Sequence, residues 1–360
     1  MEATGALPTK PVDFEFSGSG WEYFKIWIIN ILLTIVTVGI YSAWAKVRTK
    51  QYFYSKTKLS GAPFEYTADP VAILSGRLIV FGFFLIYLAM NHIFPIIGLI
   101  VPILIFLAIP WIIVRAKMFN ARYSNYRNIS FSFNKDFKGA AITFILFGLL
   151  VVLTAGLAFP YYYYRIQKFM IGNHNYGNLS FDINVVWKNF YIIYIKTILI
   201  VIAMIIVMAM ATKYLGLSAV SSTAQLAIQS AGQQFTGVGF GVMILGFLIL
   251  SMLLGFFIYS YVRTNILNTV WSNVKIGANN FESDLQLKGM MWIYVTNTFG
   301  MMFTIGLLTP WAKVRMARYR INHLQVWAEN NINDVIVKQQ KTVGAAGGEM
   351  SDFLDVDLAM

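Results

Sequence analysis

Long apolar runs alternate along the chain with short segments rich in cations and aromatics. Six stretches are free of charge or nearly so: Ile26–Ala45, Leu78–Val114, Gly139–Tyr164, Asn189–Thr212 (with Lys196 inside), Gly237–Val262 and Gly289–Ala312. A bilayer crossing takes about 20 apolar residues. Leu78–Val114, with its apolar lead-in from Val71, holds two crossings, and Asn91-His92 and Pro95 mark the break between them. Each of the others holds one. The pattern therefore predicts an all-α polytopic membrane protein with about seven transmembrane helices. Residues 216–237 are small and polar and read as a loop or surface helix.

The segments between the runs resemble one another. W-A-K-V-R occurs at Trp44–Arg48 and again at Trp311–Arg315. Aligned on the arginine, five copies appear: Arg48, Arg115, Arg165, Arg263 and Arg315. An aromatic precedes each by four residues: Trp44, Trp111, Tyr161, Tyr259 and Trp311. A phenylalanine follows the first four, at Phe64, Phe131, Phe181 and Phe281. Three single-run copies share T-x-G at Thr37–Gly39, Thr154–Gly156 and Thr304–Gly306, and Asn30 aligns with Asn297. Such self-similarity is the mark of a repeat-built membrane fold. It divides the chain into a flexible segment 1–12, a transmembrane domain 13–331 and a disordered acidic tail 332–360. The units run about 13–63, 64–130, 131–180, 181–280 and 281–331. Each joins a short extended segment ending in Phe, one or two spans, and a basic aromatic interfacial helix. Residues 13–16, 64–66, 131–133, 181–183 and 281–283 are expected to be extended, with several pairing outside the bilayer.

Composition strengthens the membrane reading. The chain of 360 residues is 58% hydrophobic and 12% charged, against about 25% charged in soluble proteins. Its net charge of +12 would suit nucleic acid, but the cations flank apolar runs, as in membrane proteins. With no cysteine and three scattered histidines, no metal site or cofactor is expected. The N-terminus lacks the pattern of a cleaved signal peptide.

Charge also orients the spans. If every span crosses, the basic tails of the first, second and fifth units share one face. They hold Lys46, Arg48, Lys50, Lys56 and Lys58; Arg115, Lys117, Arg122, Arg127 and Lys135; and Lys313, Arg315, Arg318 and Arg320. The third and fourth tails hold Arg165 with Lys168, and Arg263 with Lys275. The excess on the first face places it in the cytoplasm, with the N-terminus periplasmic and the C-terminus cytoplasmic. In the alternative arrangement the single spans dip and return, and every tail lies on one side.

Candidate chemistry is sparse. No Asp or Glu lies deep in a span, and no hydrolase, metalloprotease or nucleotide motif is present, so an enzyme is not expected. Arg77 and Lys196 sit about two turns inside their spans, read as snorkelling cations or as an anion site facing the bundle interior. Asn30 and Asn297 are candidate substrate contacts or helix–helix links. Arg48, Arg115, Arg165, Arg263 and Arg315, with Trp44, Trp111 and Trp311, are candidate contacts for anionic lipid or solute, or plain interfacial anchors.

The stretches "NILLTIVTVGIYSAWAKVR" (Asn30–Arg48), "LSGAPFEY" (Leu59–Tyr66), "NISFSF" (Asn128–Phe133) and "WSNVKIGANNF" (Trp271–Phe281) resemble the YjgN family of bacterial inner-membrane proteins. The resemblance covers most of residues 13–325. It implies a polytopic protein of a Gram-negative inner membrane and no particular activity. The functional expectation is a transporter-like or lipid-interacting protein for a small anionic or lipid-like solute. The alternative is a structural membrane protein that anchors a partner. Anionic phospholipid is the expected partner, a protein partner or second copy is open, and nucleic acid is not expected.

Overall fold

The computed structural model describes residues 11–214 and 235–327. The first ten residues, most of the polar segment 216–237 and the acidic tail lie outside them. Five times along the chain the order is strand, helix, helix, strand. The elements are β1 (Pro11–Phe16), α1 (Gly20–Val36), α2 (Ser42–Lys56), β2 (Thr57–Leu59), β3 (Ala62–Tyr66), α3 (Pro70–Ile93), α4 (Ile97–Arg122), β4 (Ser124–Tyr126) and β5 (Ile129–Phe133). Then come α5 (Phe137–Leu153), which contains a π-helical turn at Ile142–Leu146, α6 (Phe159–Gly172), β6 (His174–Tyr176), β7 (Leu179–Ile183), α7 (Trp187–Tyr214) and α8 (Phe235–Trp271). The last are β8 (Val274–Ile276), β9 (Asn279–Ser283), α9 (Leu287–Phe303), α10 (Thr309–Ile321) and β10 (Leu324–Trp327).

The ten strands close into one antiparallel barrel in which each strand pairs with its neighbours in sequence, and β1 joins β10 to β2. The chain is therefore not the all-α bundle of seven spans that hydropathy suggests. The strands are three to six residues long, too short to register in a scan tuned to spans of about 20. The extended Phe segments all fall in strands, and they form one ring rather than scattered small sheets.

Three supposed spans are not single helices. Ile26–Ala45, Gly139–Tyr164 and Gly289–Ala312 each break at the T-x-G turn into two antiparallel arms. At each turn the middle residue and the glycine have positive φ: Val38 50° and Gly39 92°, Ala155 48° and Gly156 91°, Ile305 50° and Gly306 85°. Glycine tolerates that conformation at no steric cost. The threonine closes the turn. Its hydroxyl donates to the carbonyl one turn back (Thr37 to Leu33, 2.7 Å; Thr154 to Leu150, 2.8 Å; Thr304 to Gly300, 2.7 Å) and accepts from the amide four residues on (Tyr41, 2.9 Å; Ala158, 3.0 Å; Leu308, 3.1 Å). The glycine amide returns to the helix as well, Gly39 to Thr34 at 2.7 Å. Each tip thus pairs its own amides while presenting bare apolar side chains: Val38 is 92% exposed, Leu153 82% and Ile305 95%.

Among the described residues, four helices are long and apolar enough to cross a membrane: Pro70–Ile93, Ile97–Arg122, Trp187–Val207 and Leu248–Trp271, with mean hydropathy 2.2, 2.9, 2.6 and 1.3. A 24-residue helix is about 36 Å long, beyond the roughly 30 Å of a hydrocarbon core. The 17-residue α1 and α9 reach about 25 Å. Asp69 starts α3 by accepting from the Val71 amide at 2.9 Å, and Asp136 starts α5 by accepting from Gly139 at 2.7 Å. These carboxylates at the span edges are helix caps.

Antiparallel closure puts all five helical hairpins at one end of the barrel and the tight turns at the other. The turns at Ser60-Gly61 and Arg127-Asn128 have positive φ at both central residues, the type that matches strand twist. Pro11 pairs with Trp327, so the two described chain ends sit side by side at the turn end. Neighbouring hairpins touch around the ring, and α10 closes it against α1, with Trp311 packed over Gly20 and 5.0 Å from Phe24.

Replacing Thr154 or Thr304 by valine keeps the shape but removes the link to the following amide. Leaving that amide unpaired costs about 1–3 kcal/mol. A lower melting temperature in detergent is expected for each, and an unchanged one would show that the hydroxyl does not hold the turn.

Candidate functional site

Alternation along the strands sorts side chains strictly. Asp13, Glu15, Lys58, Glu65, Asn125, Asp182, Lys275 and Glu282 lie on the outer face, with Glu15 opposite Lys58 and Asp182 opposite Lys275. The inner face is apolar and aromatic. Its middle layer is a ring of five phenylalanines, one per unit: Phe14, Phe64, Phe131, Phe181 and Phe281. Centroids step around the axis at 6.2 Å (Phe14–Phe64), 6.4 Å (Phe131–Phe181), 6.2 Å (Phe181–Phe281) and 6.3 Å (Phe281–Phe14). Tyr126, stacked 4.6 Å from Phe64, sits beside the fifth step. Tyr126 donates to the Leu59 carbonyl at 2.6 Å and Tyr176 to that of Tyr126 at 3.0 Å, so the buried hydroxyls are paired.

Two cavities meet at this ring. The lumen holds about 250 Å³, lined by the five phenylalanines with Leu59, Leu179, Ile276, Val326 and Trp271. Its polar member, Asn279, keeps its buried Oδ1 without a partner. On the helix side lies a vestibule of about 540 Å³. It shares Phe14, Phe64 and Phe131 with the lumen and adds Lys50, Lys117, Asn120, Tyr54, Ser124 and His174. Lys50 donates to Asn120 Oδ1 and lies 4.4 Å over the Tyr66 ring. Burial, then the charges of Lys46 and Lys117, lower its pKa to about 8. Burial likewise lowers that of His174, whose Nδ1 bonds the Met170 carbonyl at 2.6 Å. That nitrogen is therefore the protonated one, since a carbonyl can only accept.

The residues singled out by sequence lie elsewhere. Arg48 is exposed and donates to Tyr41 at 2.9 Å, and Arg315 donates to Thr296 at 2.7 Å. Arg115 stacks 5.4 Å over Trp111, and Arg165 lies 4.9 Å over Phe147. The Nε atoms of Arg165 and Arg263 are buried and unpartnered. Trp44 stacks on Tyr41 at 6.1 Å. None of these residues lines either axial cavity. Asn30 and Asn297 donate to the carbonyls of Ala45 and Ala312, at 3.5 and 3.2 Å. Each joins the two arms of its own hairpin at the same register.

Sequence reasoning saw the phenylalanines as punctuation and Lys50 and Lys117 as part of a charge tally. A signal was available. Two residues after the aligned arginine is about 200° around a helix. If the arginines face outward, the residues at that position, Lys50 and Lys117 among them, face the axis.

Among curated proteins, inner membrane protein YjgN of Escherichia coli K12 is 32% identical over 128 residues, covering 35% of this chain and 32% of the relative. Its namesake in Salmonella typhimurium LT2 is 33% identical over 119 residues, covering 33% and 30%. The chain thus spans about a third of the length of the curated relatives it matches. No solved structure matches. A family model, described as bacterial protein of unknown function, matches residues 11–353. Matched over most of its length, the chain belongs to that bacterial family of unknown function, DUF898, the YjgN family its motifs resemble.

Proposed function

We propose that this is a multi-pass protein of the bacterial inner membrane that binds a lipid-like amphiphile, takes an apolar chain into the barrel lumen, and catalyses no reaction. The inner-membrane part rests on the relatives' names and on the four long apolar helices. The barrel's polarity carries the rest. A barrel embedded in lipid is apolar outside and has strands of about 9–11 residues. This one is polar outside and apolar inside, with strands of three to six residues. It stands in water at the membrane surface, holding an apolar hollow next to the bilayer. Barrels of this kind hold one small ligand.

The same geometry supports a revised topology. All the basic arms lie at one end of the barrel, and the positive-inside rule assigns that end to the cytoplasm. Both described chain ends are then cytoplasmic, instead of on opposite sides. The α3–α4 and α7–α8 hairpins cross and return, and the three short hairpins dip and return. Backbone in hydrocarbon must be satisfied internally, which the T-x-G tips do for their amides. The recurring element order and register fit internal duplication. The outward Arg48, Arg115 and Arg315 with Trp44, Trp111 and Trp311 suit anionic phospholipid at the headgroup level. A second reading is a solute conduit, favoured by the phenylalanine ring standing between two cavities, where an apolar constriction gates by dewetting.

The natural absence of cysteine makes the topology direct to test. Single cysteines replacing Val38, Ala155 and Ile305 are expected to resist an impermeant maleimide from either side. Lys58→Cys and Lys275→Cys should label in inverted vesicles alone. Periplasmic labelling of the tips would refute the dipping hairpins.

Chain uptake is read with a fluorescent long-chain alkyl probe on the purified protein. Leu179→Trp, which narrows the lumen, is expected to weaken binding at least about tenfold, near 1.4 kcal/mol, with melting temperature retained. Unchanged binding would place the probe outside the lumen and leave anchoring as the better account.

A further inference from the structure

We infer that the vestibule on the helix side of the phenylalanine ring is a phosphate subsite, in which Lys50 and Lys117 bind the head of the amphiphile with support from Asn120 and Tyr66. The inference deepens the lipid reading and rests on it for the source of the phosphate, not for the site itself.

The vestibule brings two cations from separate units into one cavity, and none of its lining residues is acidic. Among the described residues the ion pair formed is Lys56 with Glu22, 3.0 Å, at the barrel's flank. Lys117 has no hydrogen-bond or ion-pair partner among them. Lys50 reaches inward to a neutral amide oxygen, which Tyr66 also approaches at 3.3 Å. Asn120 is held in place by its own Nδ2, which donates to the Ala116 carbonyl at 2.6 Å. Lys50 donates only to neutral oxygens, the charge of Lys117 repels it, and no acid lines the cavity to compensate either. A snorkelling lysine would turn its head to bulk water, but Lys50 is half-buried beneath Tyr66.

Phosphate fits this charge and donor set. Each ammonium offers three donors and no acceptor, and lysine binds phosphate as a point charge. A phosphate presents several acceptor oxygens and enough charge to neutralise the pair. The position fits as well. The vestibule opens among the helix ends at the headgroup level, and the shared phenylalanines lead from it into the apolar lumen. A phosphate held at Lys50 therefore leaves an attached apolar chain free to enter the ring.

Protonation follows. The groups facing Lys50 are Lys46 and Tyr54 on its own helix, Tyr66 from β3, Lys117 from α4 and His174 from β6. None supplies a negative charge near neutral pH. Its pKa is lowered to about 8 in the empty site and a bound anion raises it again, so affinity for an anion weakens progressively as the pH climbs above about 8.

The test uses the full chain in maltoside detergent, with added phosphatidylglycerol and native mass spectrometry of the retained lipid. K50Q/K117Q is expected to lower retention at least about tenfold, while K50R/K117R keeps it. K58Q/K275Q, on the outer barrel wall, should retain the axial lipid. In the unaltered protein, raising the pH past about 8 should release lipid, which avoids any folding defect of a variant. Unchanged retention in K50Q/K117Q, or an equal loss in K58Q/K275Q, would overturn the site. Competition by inorganic phosphate would make the free anion a ligand. Lysine-dependent retention that phosphate does not displace would assign the site to the lipid headgroup. If the alkyl probe fails to enter the lumen while lysine-dependent retention persists, the lumen reading falls and the subsite stands. The reverse pattern removes the subsite alone.

Discussion

Closure of the strand ring is the constraint on which everything else rests. A strand of three to five residues has no independent stability, and an isolated two-stranded hairpin is marginal in water. An open sheet of such strands would also expose two edges of unpaired backbone. Here β1 pairs with both β2 and β10, so every strand has two neighbours and no edge remains. That single pairing joins the first and last units, and with them α1 to α10. The five helical hairpins thereby become a crown with a shared axis. Without closure, the five phenylalanines would be surface residues on separate hairpins.

Closure also fixes the molecule's sidedness. Because each strand runs antiparallel to its neighbours, strand ends alternate between helical hairpins and tight turns. All apolar arms must then leave from one end. The polar outer wall suits water and the bare apolar tips suit hydrocarbon, and the basic, aromatic helix bases lie at the boundary between the two. The vestibule lies at that boundary, where an apolar ring and uncompensated cations come within one side chain of each other.

Much of this was legible in the sequence, but in pieces. The recurring phenylalanines fall in strands of the ring, and the T-x-G sites fall at the tips of three hairpins. The four long apolar helices appeared at the expected places. What failed was the link between register and topology. T-x-G read as an interfacial break, because a helix that bends and a helix that reverses look alike in hydropathy. The difference lies in two successive positive φ angles at each tip, the first of them at Val38, Ala155 and Ile305, where an apolar side chain does not advertise it. Barrel closure was hidden for another reason. Pairing between Pro11 and Trp327 is separated by nearly the whole chain, and three-residue strands such as Thr57–Leu59 carry too few residues to show alternation. The vestibule was missed because its cations were summed with their neighbours rather than placed on a helix face.

Comparison among the five units separates scaffold from site. The phenylalanine of the middle layer is present in all five, and the closing Thr and Gly in all three short hairpins. These positions answer to packing that each unit shares. The position two residues after the aligned arginine is different. It is Lys50, Lys117, Gln167, Asn265 and Ala317 in turn, charged in two neighbouring units, neutral and polar in two, and apolar in one. A requirement imposed by the ring alone would fall equally on all five. The cations therefore answer to something off the axis, which meets the first two units and not the last. An anion bound to one side of the vestibule, against Lys50 and Lys117, is such an asymmetric demand, whereas headgroup anchoring around the rim would have asked the same of every unit.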